Sequence, residues 1–97
     1  MNITAGLDKI KPNTYGFIYV TTNHVNDKRY VGQKKIDKKG AWKDYIGSGV
    51  ILSRAVEKYG RNSFTKEIVD VATDANELNE KEIYWISTLN AVEDDRF

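Results

Sequence analysis

The chain of 97 residues contains no cysteine, which excludes disulfide bonds and zinc sites built on thiolates. It contains no apolar run that approaches the length of a membrane span. The N-terminal segment, residues 1–13, lacks the apolar stretch of a secretory signal and is expected to be loosely ordered. These absences predict a single small domain over residues 1–97, located in the cytoplasm by default and without a membrane partner.

The net charge of +1 conceals a strong asymmetry along the chain. Residues 1–66 contain 13 lysines and arginines against 5 acidic residues, whereas residues 67–97 contain 2 against 9. The basic residues are densest between Lys28 and Lys43, where Asp37 is the single acidic residue. Such a patch attracts a phosphate backbone, but a solvated lysine-rich surface is the commoner explanation of one isolated charge run.

Two short aromatic segments predict a β-hairpin in the first third of the chain. Phe17 to Thr21 and Lys28 to Gly32 are rich in β-branched and aromatic residues, and the polar stretch between them suits a turn. Each segment carries one central tyrosine, Tyr19 in the first and Tyr30 in the second. The hairpin therefore holds two phenol groups side by side, with His24 as a solvated residue of the turn.

Two helices and a third strand complete a predicted element order of β-β-α-β-α. Apolar residues at helical spacing indicate a helix from about Val50 to Tyr59, ended by Gly60. Alternation of apolar and polar residues from Phe64 to Val71 indicates the third strand, with Lys66, Glu67 and Asp70 as its polar positions. The last helix begins after Asp74, with Glu77 placed three residues later to form a capping box.

Glu82 breaks the apolar stripe of this last helix. The stripe consists of Leu78, Trp85, Ile86 and Leu89, and at about 100° per residue Glu82 falls about 40° from Leu78, inside the stripe. A buried carboxylate needs a cation, a strong hydrogen-bond donor or access to a cleft. Helical phase is equally compatible with a metal ligand or acid–base group and with a structural glutamate paired to a lysine or a tyrosine hydroxyl.

Taken together, these segments resemble the GIY-YIG nuclease family. Gly16 to Tyr19 resembles its first motif and Tyr30 to Gly32 its second, with the two tyrosines eleven positions apart. Glu82 to Trp85 resembles the motif that carries the family's metal-binding glutamate. The segments that resemble the phage and homing-endonuclease branch are Trp42 to Gly49, Lys58 to Gly60 and Ser63 to Phe64. The resemblance extends from about Gly16 to Ala91.

The resemblance implies an α+β fold with a small three-stranded antiparallel sheet flanked by helices. It also implies hydrolysis of a DNA phosphodiester with one divalent ion, Mg²⁺ or Mn²⁺, held by Glu82. Tyr19 and Tyr30 would position the attacking water, and one of them would take its proton. A phenol of ordinary pKa, about 10, is a poor base at neutral pH, so a nearby cation would have to help. Gly32 would let the backbone come close to the DNA. The basic residues expected to contact DNA are Lys28, Arg29, Lys34, Lys35, Lys39, Lys43 and Arg54.

The chain departs from the family pattern at Ala41. Members usually have a catalytic arginine in this segment, often directly before a tryptophan, and Ala41 precedes Trp42. An alanine cannot bind or neutralise a phosphate. The chain is therefore an engineered or natural inactive form, or a neighbouring cation takes the role of the arginine with altered geometry. The candidate neighbours are Lys35, Lys39, Lys43 and Arg54.

The sequence is also compatible with two alternative functions. One is a DNA-binding module that keeps the nuclease fold and the basic patch without catalysis. The other is a small protein-interaction domain in which Glu82 is only structural. Family members often continue into a supporting segment and a separate DNA-binding region, so we expect a domain cut from a longer protein or a naturally minimal one. Neither the DNA target nor the oligomeric state follows from the sequence.

Overall fold

The computed structural model describes residues 3–36 and 50–93. Within these ranges, two α-helices pack against a five-stranded sheet of order β1-β4-β2-β3-β5. The strands are β1 (Ile3–Ala5), β2 (Gly16–Asn23), β3 (Lys28–Lys35), β4 (Phe64–Ala72) and β5 (Val92–Glu93). The helices are α1 (Val50–Tyr59) and α2 (Ala75–Leu89), with 3-10 turns at Leu7–Lys9 and Arg61–Ser63. Neither α1 nor α2 is long and apolar enough to cross a membrane.

The centre of the sheet confirms the predicted three antiparallel strands. β2 lies in the middle and pairs with β3 on one side and β4 on the other. Both hairpin strands are longer than predicted, because β2 continues to Asn23 and β3 to Lys35. The added positions are polar, and backbone pairing does not require apolar side chains at every position. Both helices have the predicted order along the chain.

The hairpin turn is held by its own polar side chains. The Asn26 side-chain oxygen accepts a hydrogen bond from the backbone nitrogen of Lys28 at 3.0 Å. Asp27 adopts a left-handed backbone conformation with φ of 60°, which short polar residues tolerate. His24 is exposed, as predicted, but its Nε2 lies 2.6 Å from Thr65 Oγ1 on β4. The turn is therefore tied to the neighbouring strand as well as to itself.

The two edge strands were not predicted. β1 pairs in parallel with β4, and β5 pairs in parallel with β3 at Tyr30 and Val31. The prediction of a loose N-terminal segment is wrong for Ile3–Ala5, which extends the sheet. A side chain at Gly6 would collide with the Ile68 carbonyl, so the chain lies directly against β4 here. Strands of two or three residues are too short to show a period, and their pairing is set by the neighbouring strand.

One face of the sheet carries both predicted catalytic tyrosines. Tyr19 packs with Phe17 and Ile68, and Tyr30 packs with Phe64. We call this the tyrosine face. Helix α1 covers its Tyr30 end, and the α1 residues that pack there are Ala55, Val56 and Tyr59.

The opposite face carries Ile18, Val20 and Val31 and is covered by α2. We call this the α2 face. Because successive side chains of a strand point to opposite sides, these residues alternate with those of the tyrosine face. The apolar stripe predicted for the last helix is confirmed, since its members pack on this cluster: Leu78, Trp85, Ile86 and Leu89.

Helix α2 begins at the predicted cap. Asp74 Oδ1 accepts a hydrogen bond from the Glu77 backbone nitrogen at 2.8 Å. In a standard capping box the glutamate accepts a hydrogen bond from the backbone nitrogen of the cap residue. Here Glu77 Oε1 accepts instead from the backbone nitrogen of Thr73, the residue before the cap, at 2.9 Å. Two orphan donors at the start of the helix are thereby satisfied.

A polar anchor on β4 fixes the rotation of α2. Trp85 Nε1 donates to Asp70 Oδ2 at 3.0 Å, and Lys81 Nζ donates to Asp70 Oδ1 at 3.1 Å and to the Val71 carbonyl at 2.6 Å. Burial raises the pKa of Asp70, but the hydrogen bonds from Trp85 and Lys81 outweigh burial and hold that pKa below its ordinary value. This anchor sets which side of α2 faces the sheet, and hence where Glu82 points.

Candidate active site

The two motif tyrosines lie diagonally across the hairpin. Tyr19 pairs with Gly32, and Tyr30 pairs with Thr21, so the phenols belong to neighbouring pairs on the same face. As predicted, the two phenols lie on the same face of the hairpin. They belong to two neighbouring cross-strand pairs, however, and are not directly opposite each other. Both side chains are buried, with exposed fractions of 0% for Tyr19 and 2% for Tyr30. Their spacing of eleven positions thus places both rings in the tyrosine face.

The motif glycine makes room for the motif tyrosine. The phenol of Tyr19 lies over Gly32, and a Cβ at position 32 would collide with the Tyr19 hydroxyl. The family resemblance predicts that Gly32 allows DNA to come close to the backbone. The structure gives a different reason for a glycine, because here the closely approaching group is the Tyr19 ring. Tyr19 and Gly32 are therefore one steric unit.

Glu82 is buried within α2, as its helical phase predicted. Its exposed fraction is 5%, and its Oε1 accepts a hydrogen bond from Gln33 Nε2 at 3.1 Å. The same Gln33 nitrogen donates to Asn79 Oδ1 at 2.7 Å. One amide group of β3 thereby orients a carboxylate and a second amide, both of them on α2.

Gln33 and Asn79 were not predicted as site residues. Gln33 pairs with Ile18 and so belongs to the α2 face, where it can meet the helix. Asn79 precedes Glu82 by three residues, so the two lie on neighbouring turns of one side of α2. The sequence shows this helical spacing, but it does not show which strand residue lies opposite.

The predicted catalytic side chains approach one short segment of β3 from opposite faces of the sheet. Tyr19 lies over Gly32 on the tyrosine face, and Glu82 bonds to Gln33 on the α2 face. These two β3 residues are consecutive. The described part of β5 pairs only with Tyr30 and Val31, so this segment lies beyond that pairing. The tyrosines and the glutamate thus lie on opposite faces of the sheet and flank β3, which is the neighbour of the edge strand β5.

Lys66 is the charged residue that sequence reasoning placed wrongly. It was counted among the polar positions of the third strand, yet it is fully buried on the tyrosine face. Its Nζ lies 5.0 Å from the ring centroid of Tyr19 and 5.9 Å from that of Phe17. A usable signal existed, because Lys66 stands between Phe64 and Ile68 in strict alternation and so shares their face.

The described residues of the predicted DNA-contacting set lie on both faces of β3 and on α1. Lys28 and Lys34 belong to the tyrosine face, and Arg29 and Lys35 to the α2 face. Arg54 is exposed on α1. Lys28 Nζ lies 5.9 Å from the Tyr30 ring centroid, and Lys35 Nζ lies 5.4 Å from that of Tyr15. Three predicted positions lie outside the described residues, namely Lys39, Ala41 and Lys43.

Glu82 is the acidic residue that the described part of the chain brings to the candidate site. Among the described residues, no three of the types His, Cys, Asp and Glu are grouped to enclose an ion. Glu82 offers a single hard oxygen donor group. This fits an ion such as Mg²⁺, which takes one or two carboxylates and completes its shell with waters and substrate phosphate oxygens.

Comparison with known proteins agrees with this architecture. The family model described as "Putative endonuclease segE, GIY-YIG domain" matches residues 2–96. Endonuclease segA of Enterobacteria phage T4 is 34% identical over 82 residues, which are 82% of this chain and 36% of that protein. The segE protein of the same phage is 40% identical over 55 residues, which are 57% of this chain and 26% of that protein. The chain thus spans roughly a third or less of the length of these relatives.

A solved structure shares both the fold and part of the sequence. The catalytic domain of the intron endonuclease I-TevI, in a glutamate-to-alanine mutant form, superposes with a TM-score of 0.63 and 28% identity. The match covers 84% of this chain and 97% of that domain. The resemblance expected from the motifs is confirmed, and the chain belongs to the GIY-YIG endonuclease family.

Proposed function

We propose that this chain is a DNA endonuclease domain that hydrolyses phosphodiester bonds with one divalent metal ion, Mg²⁺ or Mn²⁺. Family membership supports an endonuclease domain. The observation that carries the chemistry is the arrangement at β3, where the Tyr19 phenol and the Glu82 carboxylate meet two consecutive residues, Gly32 and Gln33. The proposed acid–base group, Tyr19, and the proposed metal ligand, Glu82, are thereby held at the same short segment of β3.

Glu82 would hold the ion, and Gln33 would orient the carboxylate. When bound, a divalent ion stabilises the charge that develops on the leaving oxygen. The hydrogen bond from Gln33 Nε2 fixes one carboxylate oxygen at 3.1 Å, which restricts the carboxylate to one rotation about its last bond. Outer-sphere contacts of this kind raise metal affinity by preorganising the ligand.

Tyr19 and Tyr30 would position the attacking water, and one phenol would accept its proton. Both phenols are buried, so the proposal requires that DNA binding exposes a phenol oxygen. The Tyr19 ring already points across β2 towards the β3 edge over Gly32. Of the two phenols, Tyr19 therefore has the shorter path to a substrate at that edge.

DNA is the proposed partner, and the exposed basic side chains of β3, together with Arg54 of α1, would contact its phosphates. Lys28, Arg29 and Lys35 are exposed on β3, and Arg54 is exposed on α1. Contacts of this type make binding fall steeply with salt, because each neutralised phosphate releases counterions.

Ala41 supports a second candidate function, a DNA-binding module without catalysis. It stands where the family usually has an arginine, and the impaired activity expected from this substitution is part of the proposal. Supercoiled-plasmid nicking with Mg²⁺ or Mn²⁺ separates the two functions when the chain is compared with its Ala41→Arg variant. We expect nicking by Ala41→Arg and little or none by the chain itself. If neither protein nicks and both bind DNA in a salt-dependent manner, the binding module is the correct function.

A further inference from the structure

The tyrosine face contains a fully buried lysine next to a proposed catalytic group. Lys66 lies in the middle of β4, is 0% exposed and pairs with Thr21 of β2. Lysine is almost never fully buried unless it has a specific partner. Its Nζ lies 5.0 Å from the centre of the Tyr19 ring, a distance at which an ammonium is attracted to an aromatic ring. This contact joins the buried charge to one of the two motif tyrosines.

The electrostatic surroundings of Tyr19 are positive on the three central strands. β4 contributes Lys66 to this face and β3 contributes Lys34, together with the phenol of Tyr30. The tyrosine-face positions of β2, β3 and β4 carry no carboxylate, because Glu67 and Asp70 belong to the α2 face. Among the described residues of the flanking segments, the hydrophobic side chains packed on the Tyr19 cluster are Ile10 and Ile36.

We propose that Lys66 is a positioning residue for Tyr19, and that its buried ammonium stabilises the phenolate form through which Tyr19 acts as general base. This inference rests on the proposed nuclease function. It supplies the cation that a phenol needs to act as a base near neutral pH, because a positive charge on this face lowers the cost of ionising the phenol. Lys66 does not touch the phosphate in this account; it acts through Tyr19.

The chemical step is balanced without further reactants. The Tyr19 phenolate removes a proton from a water molecule as the water oxygen forms its bond to phosphorus. The bond between phosphorus and the leaving sugar oxygen breaks, and that oxygen keeps the electron pair and takes a proton from solvent. Tyr19, now a neutral phenol, returns its proton to solvent before the next turnover, and the positive charge of Lys66 lowers the cost of this return.

Tyrosinate absorbance tests the proposal without any need for catalysis. The chain has six tyrosines, so the difference between titrations of the chain and of Tyr19→Phe isolates the Tyr19 signal. We expect the midpoint of that signal to lie about one to two pH units higher in the Lys66→Met background, which is a ten- to hundredfold change in the ionisation constant. An unchanged midpoint overturns the proposal.

A matched control separates this effect from general loss of a lysine. Lys58 Nζ lies 5.2 Å from the Tyr59 ring centroid, and Lys58 is exposed on α1. Lys58→Met should leave the Tyr19 midpoint unchanged, and an equal shift in this variant would count against a specific role of Lys66. Lys66→Gln provides a second neutral replacement if Lys66→Met does not fold. If neither folds, the comparison moves to the native chain, where the Tyr19 midpoint must lie below the ordinary value of a phenol, about 10.

A kinetic measurement distinguishes failure of this inference from failure of the proposed function. In an Ala41→Arg background that nicks DNA, Lys66→Met should lower kcat at neutral pH at least tenfold and restore it as the pH rises, with KM for DNA unchanged. A uniform loss at every pH indicates a structural role and overturns the inference. Absence of nicking in every variant overturns the nuclease function. The titration would still show whether Lys66 stabilises the phenolate form of Tyr19.

Discussion

Tyr19 and Gly32 are cross-strand partners, and the phenol of Tyr19 occupies the space that a side chain at position 32 would need. The tyrosine of the first motif and the glycine of the second are therefore linked by direct steric contact. A larger residue at position 32 displaces the ring, and the ring is the group proposed to reach the attacking water. One short contact thus connects the two motifs from which the family takes its name.

Gly32→Ala should destabilise the fold and misplace Tyr19. Overpacking of a filled site typically costs about 1–3 kcal/mol in the free energy of unfolding. The same substitution in a Tyr19→Ala background should cost clearly less, because the obstructing ring is gone. Urea denaturation of the four proteins of this double-mutant cycle measures the coupling. Equal costs in both backgrounds would show that the two residues are independent.

Glu82→Gln should abolish metal binding while leaving the fold intact. Glutamine has nearly the same shape and keeps an oxygen that can accept from Gln33, but it lacks the negative charge that attracts a divalent cation. Binding of Mn²⁺, followed by calorimetry or by electron paramagnetic resonance, checks this directly. Glu80→Gln, at an exposed position of the same helix, is the matched control and should bind as the native chain does. Equal Mn²⁺ affinity of the two variants would remove Glu82 as the ligand.

Gln33→Met should weaken Mn²⁺ binding without removing it. Methionine has a similar length but cannot donate the hydrogen bonds that Gln33 Nε2 gives to Glu82 and Asn79. Loss of an outer-sphere partner typically costs about 10- to 100-fold in metal affinity. The exposed Asn76, on the same helix, provides a control as Asn76→Ala. An unchanged dissociation constant for Gln33→Met would show that this contact only supports folding.

Asp70, which anchors α2 to β4, should make the free energy of unfolding depend on pH. Its pKa in the folded chain lies below the reference value of 3.8, so the ionised form stabilises the fold above that value. This contribution is lost as the pH falls through the lower folded pKa. Asp70→Asn should therefore lower the free energy of unfolding by about 1–2 kcal/mol at neutral pH, because charged hydrogen bonds to Trp85 and Lys81 become neutral ones or are lost.

The measurement for Asp70 is a comparison of urea denaturation at two pH values. The difference between the chain and Asp70→Asn should shrink in strongly acidic solution, where the native Asp70 also becomes neutral. A difference that stays constant with pH would mean that the loss comes from packing and not from the charge.

Lys28→Gln should reduce the salt dependence of DNA binding. Each lysine that neutralises a phosphate contributes about 0.9 to the slope of log affinity against log salt concentration. Lys28 is exposed at the start of β3, and a slope lower by about one is expected for its removal. Lys58→Gln, on α1 and outside the proposed DNA contact, should leave the slope unchanged. Identical slopes for all three proteins would exclude Lys28 from the interface.

The sequence predicted the central sheet and both helices because their patterns are long enough to show a period. It predicted the burial of Glu82 from helical phase, which depends only on the spacing of residues within α2. It did not predict β1 or the hydrogen bond from Gln33 to Glu82, because both depend on which segments meet in space. Local patterns carry no information on such contacts between distant parts of the chain.

The candidate site was predicted in its residues more than in its geometry. The motif resemblance identified Tyr19, Tyr30 and Glu82 as candidates, but it did not indicate how they are arranged in space. The structure places the tyrosines and the glutamate on opposite faces around β3, because Tyr19 pairs with Gly32 whereas Glu82 belongs to the helix on the other side. Lys66 was assigned to the polar side of its strand, although its alternation with Phe64 and Ile68 placed it on the tyrosine face.

The central claim is that Tyr19 and Glu82 serve one catalytic site across the edge of β3. Single-turnover plasmid nicking with Mg²⁺ in the Ala41→Arg background tests it, with Tyr19→Phe, Glu82→Gln and the double variant compared. Residues that act as a unit give strongly non-additive losses, so each single change should cost nearly as much as both together. Losses that simply multiply, or nicking that survives either substitution at the rate of the Ala41→Arg parent, would contradict a shared site.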